Sequence, residues 1–280
     1  MARKIVGYYN KPENAVISEA DQLYIEIGIN ELACLVKSAA SQEIIGFEVF
    51  QLDKGNNDWT DIFYEVRNAS QLLNGTYKDT HCQYNFEEAV IIPEPKFTLT
   101  SAEDYLSLIY GETNRHDIKY DSILPGNHMV NAYRIRKSIN ELMSRHFVLY
   151  KPRHVYSGIL DDLLTRIELA DHFIKVQFYS THIVVAVVKH KQLQLIQSFP
   201  YALAEDILYH LVNISQQFEL DNTVSNLEIS GMFEPGSLLH QQLQPLFGLI
   251  TFETVETTGV CKSVTGFAAH WFTPFYKLVV

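Results

Sequence analysis

The amino-acid sequence predicts an α/β protein built from two similar halves, each a mixed five-stranded sheet with flanking helices. Three short apolar runs separated by turn residues occur near the start of the chain and recur after Ala170. Both triplets precede amphipathic helical stretches that alternate with short strand-like runs. Tight turns join antiparallel strands, whereas parallel strands need helical crossovers, so each sheet is expected to be mixed. The two copies begin roughly 150 residues apart, which favours an internal duplication.

The first half is placed at residues 1–170, where β-branched runs predict strands and apolar residues at helical spacing predict helices. The predicted strands cover 23–29, 32–36, 44–50, 88–92, 129–135 and 153–156. The predicted helices begin at Asn57 or Asp58 (continuing to Asn74-Gly75), at Thr100 or Ser101, at Ser138, and near Ile159. The polar segment 111–127 contains Pro125-Gly126 and is expected to be a long loop or a small inserted element.

The second half is placed at residues 171–280 and repeats the opening pattern. Its predicted strands cover 173–178, 183–188, 193–196, 227–229 and 249–252, and its helices begin near Tyr201 and before Leu238. The chain ends in an unusually aromatic tail, 270–280. Since exposed termini normally fray, this tail is expected to be packed, either in the core or against a second subunit.

The composition argues against some classes of binding partner and indicates the cellular compartment. The net charge of -11 argues against nucleic acid or an anionic membrane as the main partner. No stretch approaches the roughly 18 consecutive apolar residues that a membrane span requires, and the N-terminus lacks the apolar region of a signal peptide. Cys34, Cys82 and Cys261 show no CxxC spacing and are expected to be buried free thiols. The predicted location is therefore the cytoplasm, without membrane insertion.

Histidine-rich metal sites are not expected. The chain has 11 histidines, but none stands in HExxH or beside a CxxC pair. The densest basic cluster contains Arg134 and Arg136, which share one face of a predicted strand. They could hold a phosphate or an acidic partner, although a solvated strand end is preferred.

The order of elements resembles the actin-like ATPase fold, which consists of two ribonuclease-H-like halves. Over nearly the whole chain, from about Asp21 onwards, the sequence resembles an uncharacterised bacterial family of unknown function with that fold. It is also distantly similar to the actin-like pilus assembly proteins. The resemblance implies a nucleotide cleft between the halves, bounded by two phosphate-binding hairpins and an adenosine-binding turn.

The resemblance places the first phosphate hairpin at 26–30. Active members carry Asp-x-Gly there, whereas this chain has Glu26 and Gly28, followed by Asn30. Glycine would let the backbone approach a ligand closely, but the longer glutamate would displace a magnesium-bound water.

The other two places implied by the resemblance lie in the second half. The second hairpin matches 178–182, which offers Ser180 but neither Asp nor Gly. The adenosine turn matches 227–237, which keeps Gly231 and Gly236 but has Met232 in place of the second glycine of the pair.

These departures favour a non-catalytic binding or scaffold protein with a degenerate nucleotide site at Gly28, Asn30, Ser180, Gly231 and Gly236. The alternative is an active ATPase or phosphotransferase that uses ATP and magnesium, with Glu26 as the catalytic residue. A nuclease is the third class considered. It would need several carboxylates converging on two metal ions, and the sequence supplies only Glu26 as a candidate ligand. The partner is expected to be a protein, with a second copy of the chain also considered.

Overall fold

The computed structural model describes residues 1–9, 17–53, 58–123, 126, 128–147, 149–221, 223–255, 264 and 266–279. Its strands are β1 Ala2–Tyr9, β2 Gln22–Gly28, β3 Glu31–Lys37, β4 Ile44–Leu52, β5 Asp79–Asn85, β6 Ala89–Pro93, β7 His116–Ser122, β8 Met129–Arg136, β9 Tyr150–His154, β10 His172–Phe178, β11 His182–Lys189, β12 Gln192–Pro200, β13 Asn226–Gly231 and β14 Leu249–Phe252. Its helices are α1 Trp59–Ala69, α2 Leu99–Tyr110, α3 Lys137–His146, α4 Val155–Thr165, α5 Ala204–Gln217, α6 Leu238–Leu243 and α7 Thr273–Tyr276.

The chain forms two compact units, the first containing Met1–Asp161 and the second containing Asp162–Glu256 and Thr265–Lys277. The sequence-based boundary between residues 170 and 171 stays a prediction. Each unit contains one mixed sheet, and the first also contains a separate small sheet.

The main sheet of the first unit has the strand order β1-β4-β3-β2-β5-β9. Strands β2, β3 and β4 pair antiparallel, which confirms the predicted meander. Strands β5 and β9 add in parallel to β2. This sheet has six strands, because β1 pairs antiparallel with the outer edge of β4, whereas the predicted strands 88–92 and 129–135 belong to the separate small sheet.

The sheet of the second unit has the order β12-β11-β10-β13-β14, which matches β4-β3-β2-β5-β9 of the first unit position by position. Its first three strands are antiparallel and its last two parallel to β10. The two-halves architecture is thus confirmed. One buried cluster from the sheet and helices α5 and α6 forms the core of this unit, including Ile174, Val185, Leu211 and Leu243.

Strand β5 was not predicted from the sequence because its residues, DTHCQYN, contain few strongly apolar side chains. Its inward positions are nevertheless regular, since Thr80, Cys82 and Tyr84 are all buried while the residues between them are partly exposed. This period-two alternation is the signal that could have identified it. Cys82 and Cys34 are buried free thiols, whereas Cys261 lies outside the described residues.

The segment 111–127 belongs to a small inserted element rather than a loop. It contains β7, which joins β8 and β6 in a three-stranded antiparallel sheet. Helix α2 covers this sheet, and Ile92, Ala102, Leu106 and Ala132 form its core. The small hydrophobic core therefore belongs to the whole inserted element, formed by β6, α2, β7 and β8, to which the segment contributes β7.

Arg134 lies inside this inserted element, so the preferred interpretation of a solvated strand end was wrong for it. The side chain is only 4% exposed. Its guanidinium donates to the Gly111 carbonyl at 2.8 Å and to Ser107 Oγ at 3.0 Å. Because these groups lie at the C-terminal end of α2, the charge caps the helix, where a cation is favoured. Arg136, by contrast, is exposed.

Several helix ends differ from prediction. Helix α1 ends at Ala69 rather than at Asn74-Gly75. Helix α2 is capped by Thr98, and Ser101 occupies position N3 of the capping box. Ser138 lies inside α3 and does not cap it.

A buried carboxylate, Glu48, ties β1 to the rest of the first unit. It accepts hydrogen bonds from Lys4 Nζ at 2.7 Å, from the backbone amide of Gln71 at 3.0 Å, and from the hydroxyls of Tyr9 and Ser70. A fully buried carboxylate is tolerated only when it is paired in this way. Glu48 thus joins the edge strand, β4 and the end of α1.

Three cations and three carboxylates form an ion-pair cluster in the second unit. Lys175, 1% exposed, places Nζ 2.8 Å from Glu228 and 2.6 Å from Glu253. Arg166 contacts all three carboxylates. Lys277 from the C-terminal tail contacts Glu253 and lies 2.8 Å from Asp162. The charges balance, which makes burial of Lys175 tolerable.

The aromatic tail is packed in the core, which is one of the two arrangements predicted from the sequence. Phe272, Phe275 and Tyr276 are buried, and the Phe275 ring meets the Tyr179 ring edge to face at 6.0 Å.

Replacing Lys175 with methionine should destabilise the protein by roughly 3–5 kcal/mol, because it leaves Glu228 and Glu253 buried without their central cation. Urea unfolding followed by circular dichroism measures the change. The matched control is Lys137→Met, the same substitution at an exposed position, where a change below about 0.5 kcal/mol is expected. A loss below about 1 kcal/mol for Lys175→Met would contradict the role assigned to the cluster.

The ion-pair cluster should also make the free energy of unfolding depend on pH. Burial alone would raise the pKa of Asp162, but Lys175 and Lys277 lower it to about 2. The unfolded chain has a value near 3.9, so the stabilisation is complete above about pH 5 and is lost as pH falls towards 2. The gap in unfolding free energy between wild type and Asp162→Asn should therefore shrink between pH 6 and pH 2. A gap that stays constant over this range would refute the assignment.

Candidate functional site

Glu26 lies at the end of β2 and is held by two amide side chains from β5. The parallel register places Glu26 opposite Gln83 and Gly28 opposite Asn85. Gln83 Nε2 and Asn85 Nδ2 each donate to one Glu26 oxygen at 3.1 Å. Glu26 is 2% exposed. Neither amide residue was predicted to belong to the site, because strand β5 was not predicted from the sequence.

Gly28 is the last residue of β2, and Asn30 lies in the turn that follows. A Cβ built on Gly28 would meet the Glu31 carbonyl at 3.5 Å and the Asn85 Cβ at 3.7 Å, both ordinary contacts. Local packing therefore does not require glycine at this position. Asn30 is buried, and its carbonyl accepts from the Leu52 amide at 2.7 Å. The first hairpin thus brings Glu26, Gly28 and Asn30 together.

The second hairpin, between β10 and β11, has the same turn length. Four residues separate the last paired residues in each case, Ile27 and Leu32 in the first and Phe178 and Ile183 in the second. By this correspondence, Gln177 stands where the first hairpin has Glu26, and Tyr179 stands where it has Gly28. The second copy has neither the acid nor the glycine.

Aromatic rings fill the second turn. The Tyr179 ring, 1% exposed, stacks on the His182 ring with centroids 4.7 Å apart and planes 5° from parallel. The Tyr179 amide donates to the His182 carbonyl at 3.0 Å, so this N–H is engaged within the turn. Burial lowers the pKa of His182 to about 4, which leaves the ring uncharged at neutral pH. Ser180 lies between these residues and is partly exposed.

Gly231 ends β13 at a close crossing of the backbone. Its φ is +89°, and a Cβ there would lie 2.1 Å from the Phe178 carbonyl oxygen. The Gly231 amide donates to the His270 carbonyl, and the Met232 amide donates to the Phe178 carbonyl, both at 2.9 Å. Backbone contacts alone therefore account for glycine at this position.

Gly236 has a φ of +81°, and a Cβ there would meet nothing within 4 Å. Its amide donates to His240 Nδ1 at 2.9 Å, just before Ser237 caps α6. Its backbone conformation favours glycine without any close approach.

The first unit also contains a cavity of about 730 Å³ between the inserted sheet, β9 and α4. Its lining includes Asp121, Arg153, Asp161 and His128. Burial raises the pKa of Asp121, although Ser157 Oγ and the His154 amide donate to it at 2.7 and 2.8 Å. Arg153 is ion-paired with Asp161.

The side chain of His154, whose backbone amide donates to Asp121, is neutral. Its Nε2 lies 2.9 Å from the Phe86 carbonyl, and its Nδ1 accepts from the Tyr156 amide at 3.2 Å. Burial lowers its pKa to about 3. Among the described residues, no group of His, Cys, Asp and Glu is arranged to hold a metal ion. Within the same residues, no helix combines the length and hydropathy of a membrane span.

The duplicated sheets and their hairpins define a protein with the actin-like ATPase fold. One solved structure with this fold, a protein of unknown function from Bacteroides thetaiotaomicron, superposes with a TM-score of 0.75 at 17% identity over 84% of this chain and 91% of its own. The chain belongs to the family described as protein of unknown function (DUF3822), whose model matches residues 10–249. Both findings confirm the resemblance inferred from the sequence.

Two further solved structures share the fold at greater distance. A PilM–PilN type IV pilus biogenesis complex matches with a TM-score of 0.53 at 12% identity, over 94% of this chain and 97% of that one. The ethanolamine utilization protein EutJ from Carboxydothermus hydrogenoformans matches with a TM-score of 0.50 at 7% identity, over 94% and 90%. A search among curated proteins finds no match.

Replacing three glycines with alanine distinguishes the cost of a steric clash with the backbone from the cost of an unfavourable backbone conformation. Gly231→Ala should cost at least about 2 kcal/mol, because the methyl group collides with a carbonyl oxygen that cannot rotate away. Gly236→Ala, with a similar φ and no collision, should cost about 1 kcal/mol. Gly28→Ala should change stability by less than about 1 kcal/mol. Urea unfolding of the three variants tests this order, and equal losses at Gly231 and Gly236 would contradict it.

Proposed function

We propose that this protein is a non-catalytic binding or scaffold module that keeps the actin-like fold. The observation that carries the proposal is the second hairpin. Tyr179 stands where the first hairpin has glycine, its ring is stacked on His182, and its amide is bonded to the His182 carbonyl. A phosphate cradle needs small residues and outward-pointing backbone amides, and this turn offers a buried ring and an engaged amide instead.

The first hairpin supports the same proposal. Glu26 is buried, and each of its oxygens accepts from a neutral amide donor supplied by β5. We assign this carboxylate a structural role, which is to join the ends of β2 and β5 through Gln83 and Asn85. A charged acceptor strengthens such hydrogen bonds, so the three side chains stabilise the parallel pairing of the two strands.

A protein is the proposed partner. PilM, which shares the fold, occurs in a complex with PilN. The cavity beside the inserted sheet offers this chain a concave surface of mixed polar and apolar character, with Asp121 and Arg153 beside Ile123 and Val130. We place the protein in the cytoplasm, because Cys34 and Cys82 are free thiols, as is usual in a reducing compartment.

One observation favours the alternative, an ATPase or phosphotransferase that uses ATP and magnesium. Packing does not require glycine at Gly28, so a bound ligand would give a reason for its presence there. In that case Gly28 and Asn30 would approach phosphate, Ser180, Gly231 and Gly236 would complete the site, and Glu26 would be the catalytic residue.

Thermal melting with and without magnesium-ATP, together with phosphate release, distinguishes the two functions. The scaffold proposal predicts no phosphate release from the wild-type protein. Nucleotide present at 100 times its dissociation constant would add about 2.7 kcal/mol of stability, so even binding without turnover would be detected.

The Glu26→Gln variant completes this test. It should lose roughly 1–3 kcal/mol of stability without nucleotide, because an amide group then faces the amide donors of Gln83 and Asn85. The matched control is Glu141→Gln, at an exposed position of α3, which should leave stability unchanged. Phosphate release in the wild type that disappears in a folded Glu26→Gln protein would establish the enzyme instead.

A further inference from the structure

The edges of the three sheets differ in how they are protected against pairing with another strand. Edge strands normally carry charges or proline, or are very short, because their unpaired backbone groups otherwise recruit a further strand. Within the part of the chain that the structure describes, five of the six sheet edges follow this rule. The protecting features are Arg3 and Lys4 on β1, Lys151, Pro152 and Arg153 on β9, Asp117, Lys119 and Asp121 on β7, Pro93 on β6, and a length of four residues for β14.

The sixth edge, β12, lacks such charges. It is the terminal strand of the second sheet, has nine residues, QLQLIQSFP, and contains no ionisable side chain. Its apolar residues Leu193, Leu195, Ile196 and Phe199 are all partly exposed. Among the described residues, its ladder hydrogen bonds run to β11 alone.

We propose that β12 is a self-association surface, and that it pairs antiparallel with β12 of a second copy of this chain. A two-fold axis across the edge would join two five-stranded sheets into one continuous sheet. The backbone groups of the edge specify an extended strand as occupant. A second copy of this strand fits the edge because β12 paired with itself brings together only uncharged side chains, so no like charges meet across the new strand pair.

The same charge argument excludes the other long edge strand of a main sheet. Self-pairing of β1 would bring Arg3 and Lys4 of two copies together, which is unfavourable across a strand pair. Self-pairing of β12 brings only glutamine, serine and apolar side chains together.

Apolar residues beside the edge would extend the contact. Leu203 and Tyr209, before and within α5, are 64% and 67% exposed. The Phe199 ring of β12 lies 4.9 Å from the His210 ring, next to Tyr209, so these residues flank the C-terminal end of the strand. A specific interface buries at least about 1,200 Å² in total, and the flanking side chains would supply area that two strands alone do not.

Two local features define the paired length. The register with β11 shifts between Val187 and Val188, which places a bulge at Gln194. Pro200, at the other end, has no amide hydrogen to donate. Regular pairing is therefore confined to residues 195–199.

Light scattering during size-exclusion chromatography tests the proposal directly. The wild-type protein should show twice the chain mass of 32.2 kDa at high concentration. The double variant Gln194→Lys with Gln197→Lys should show the single-chain mass and an unchanged circular dichroism spectrum. The matched control, Gln216→Lys with Gln217→Lys, adds the same charge at exposed positions near the end of α5 and should remain a dimer.

Hydrogen exchange of the wild-type protein provides a test that needs no variant. The outward-pointing amides of residues 195–199 should exchange more slowly as the protein concentration rises. A single-chain mass at every concentration would overturn the proposal, as would a dimer that survives both lysines in β12. A dimer whose β12 amides show no concentration dependence would overturn it too, since it would form through another surface. None of these outcomes depends on nucleotide binding, so the proposed function is tested separately.

Discussion

The candidate site residues are positioned by one parallel strand pair in each unit. The pair is β2 with β5 in the first unit and β10 with β13 in the second. In the first unit, the register of β2 with β5 places Gln83 beside Glu26 and Asn85 beside Gly28. In the second, the register of β10 with β13 brings Gly231 against Phe178. Side chains near the carboxyl ends of parallel strands necessarily meet at one edge of the sheet, which is where α/β proteins bind ligands.

The two halves use that common geometry differently. The first contains a buried acid tied to two amides, in a turn where glycine is not sterically required. The second has an uncharged glutamine, Gln177, at the position of the acid and a stacked aromatic pair in the turn. Buried aromatic rings and a neutral histidine stabilise a turn through packing rather than through charge. Two hairpins of equal turn length therefore differ in character, one built around a buried acid and the other around a stacked aromatic pair.

The sequence was sufficient for most of the fold because the meander strands and the later buried strands are rich in β-branched residues. Strand β5 was missed because its inward residues are Thr80, Cys82 and Tyr84, which weigh little in an apolar pattern. That single omission concealed Gln83 and Asn85, and with them the local environment of Glu26. The role of Arg134 could not be predicted either, but the reason is different. Its acceptors, at Ser107 and Gly111, belong to another element, and only the tertiary structure brings them together.

The tight crossing at Gly231 affects how relatives of this protein should be compared. Because a carbonyl oxygen of the neighbouring strand occupies the space that any side chain would need, the fold itself requires glycine there, whether or not a relative binds nucleotide. Its presence is therefore uninformative for sorting the family by activity. The residue at the position of Tyr179 is the better marker, since a small residue leaves the turn open and a large ring closes it.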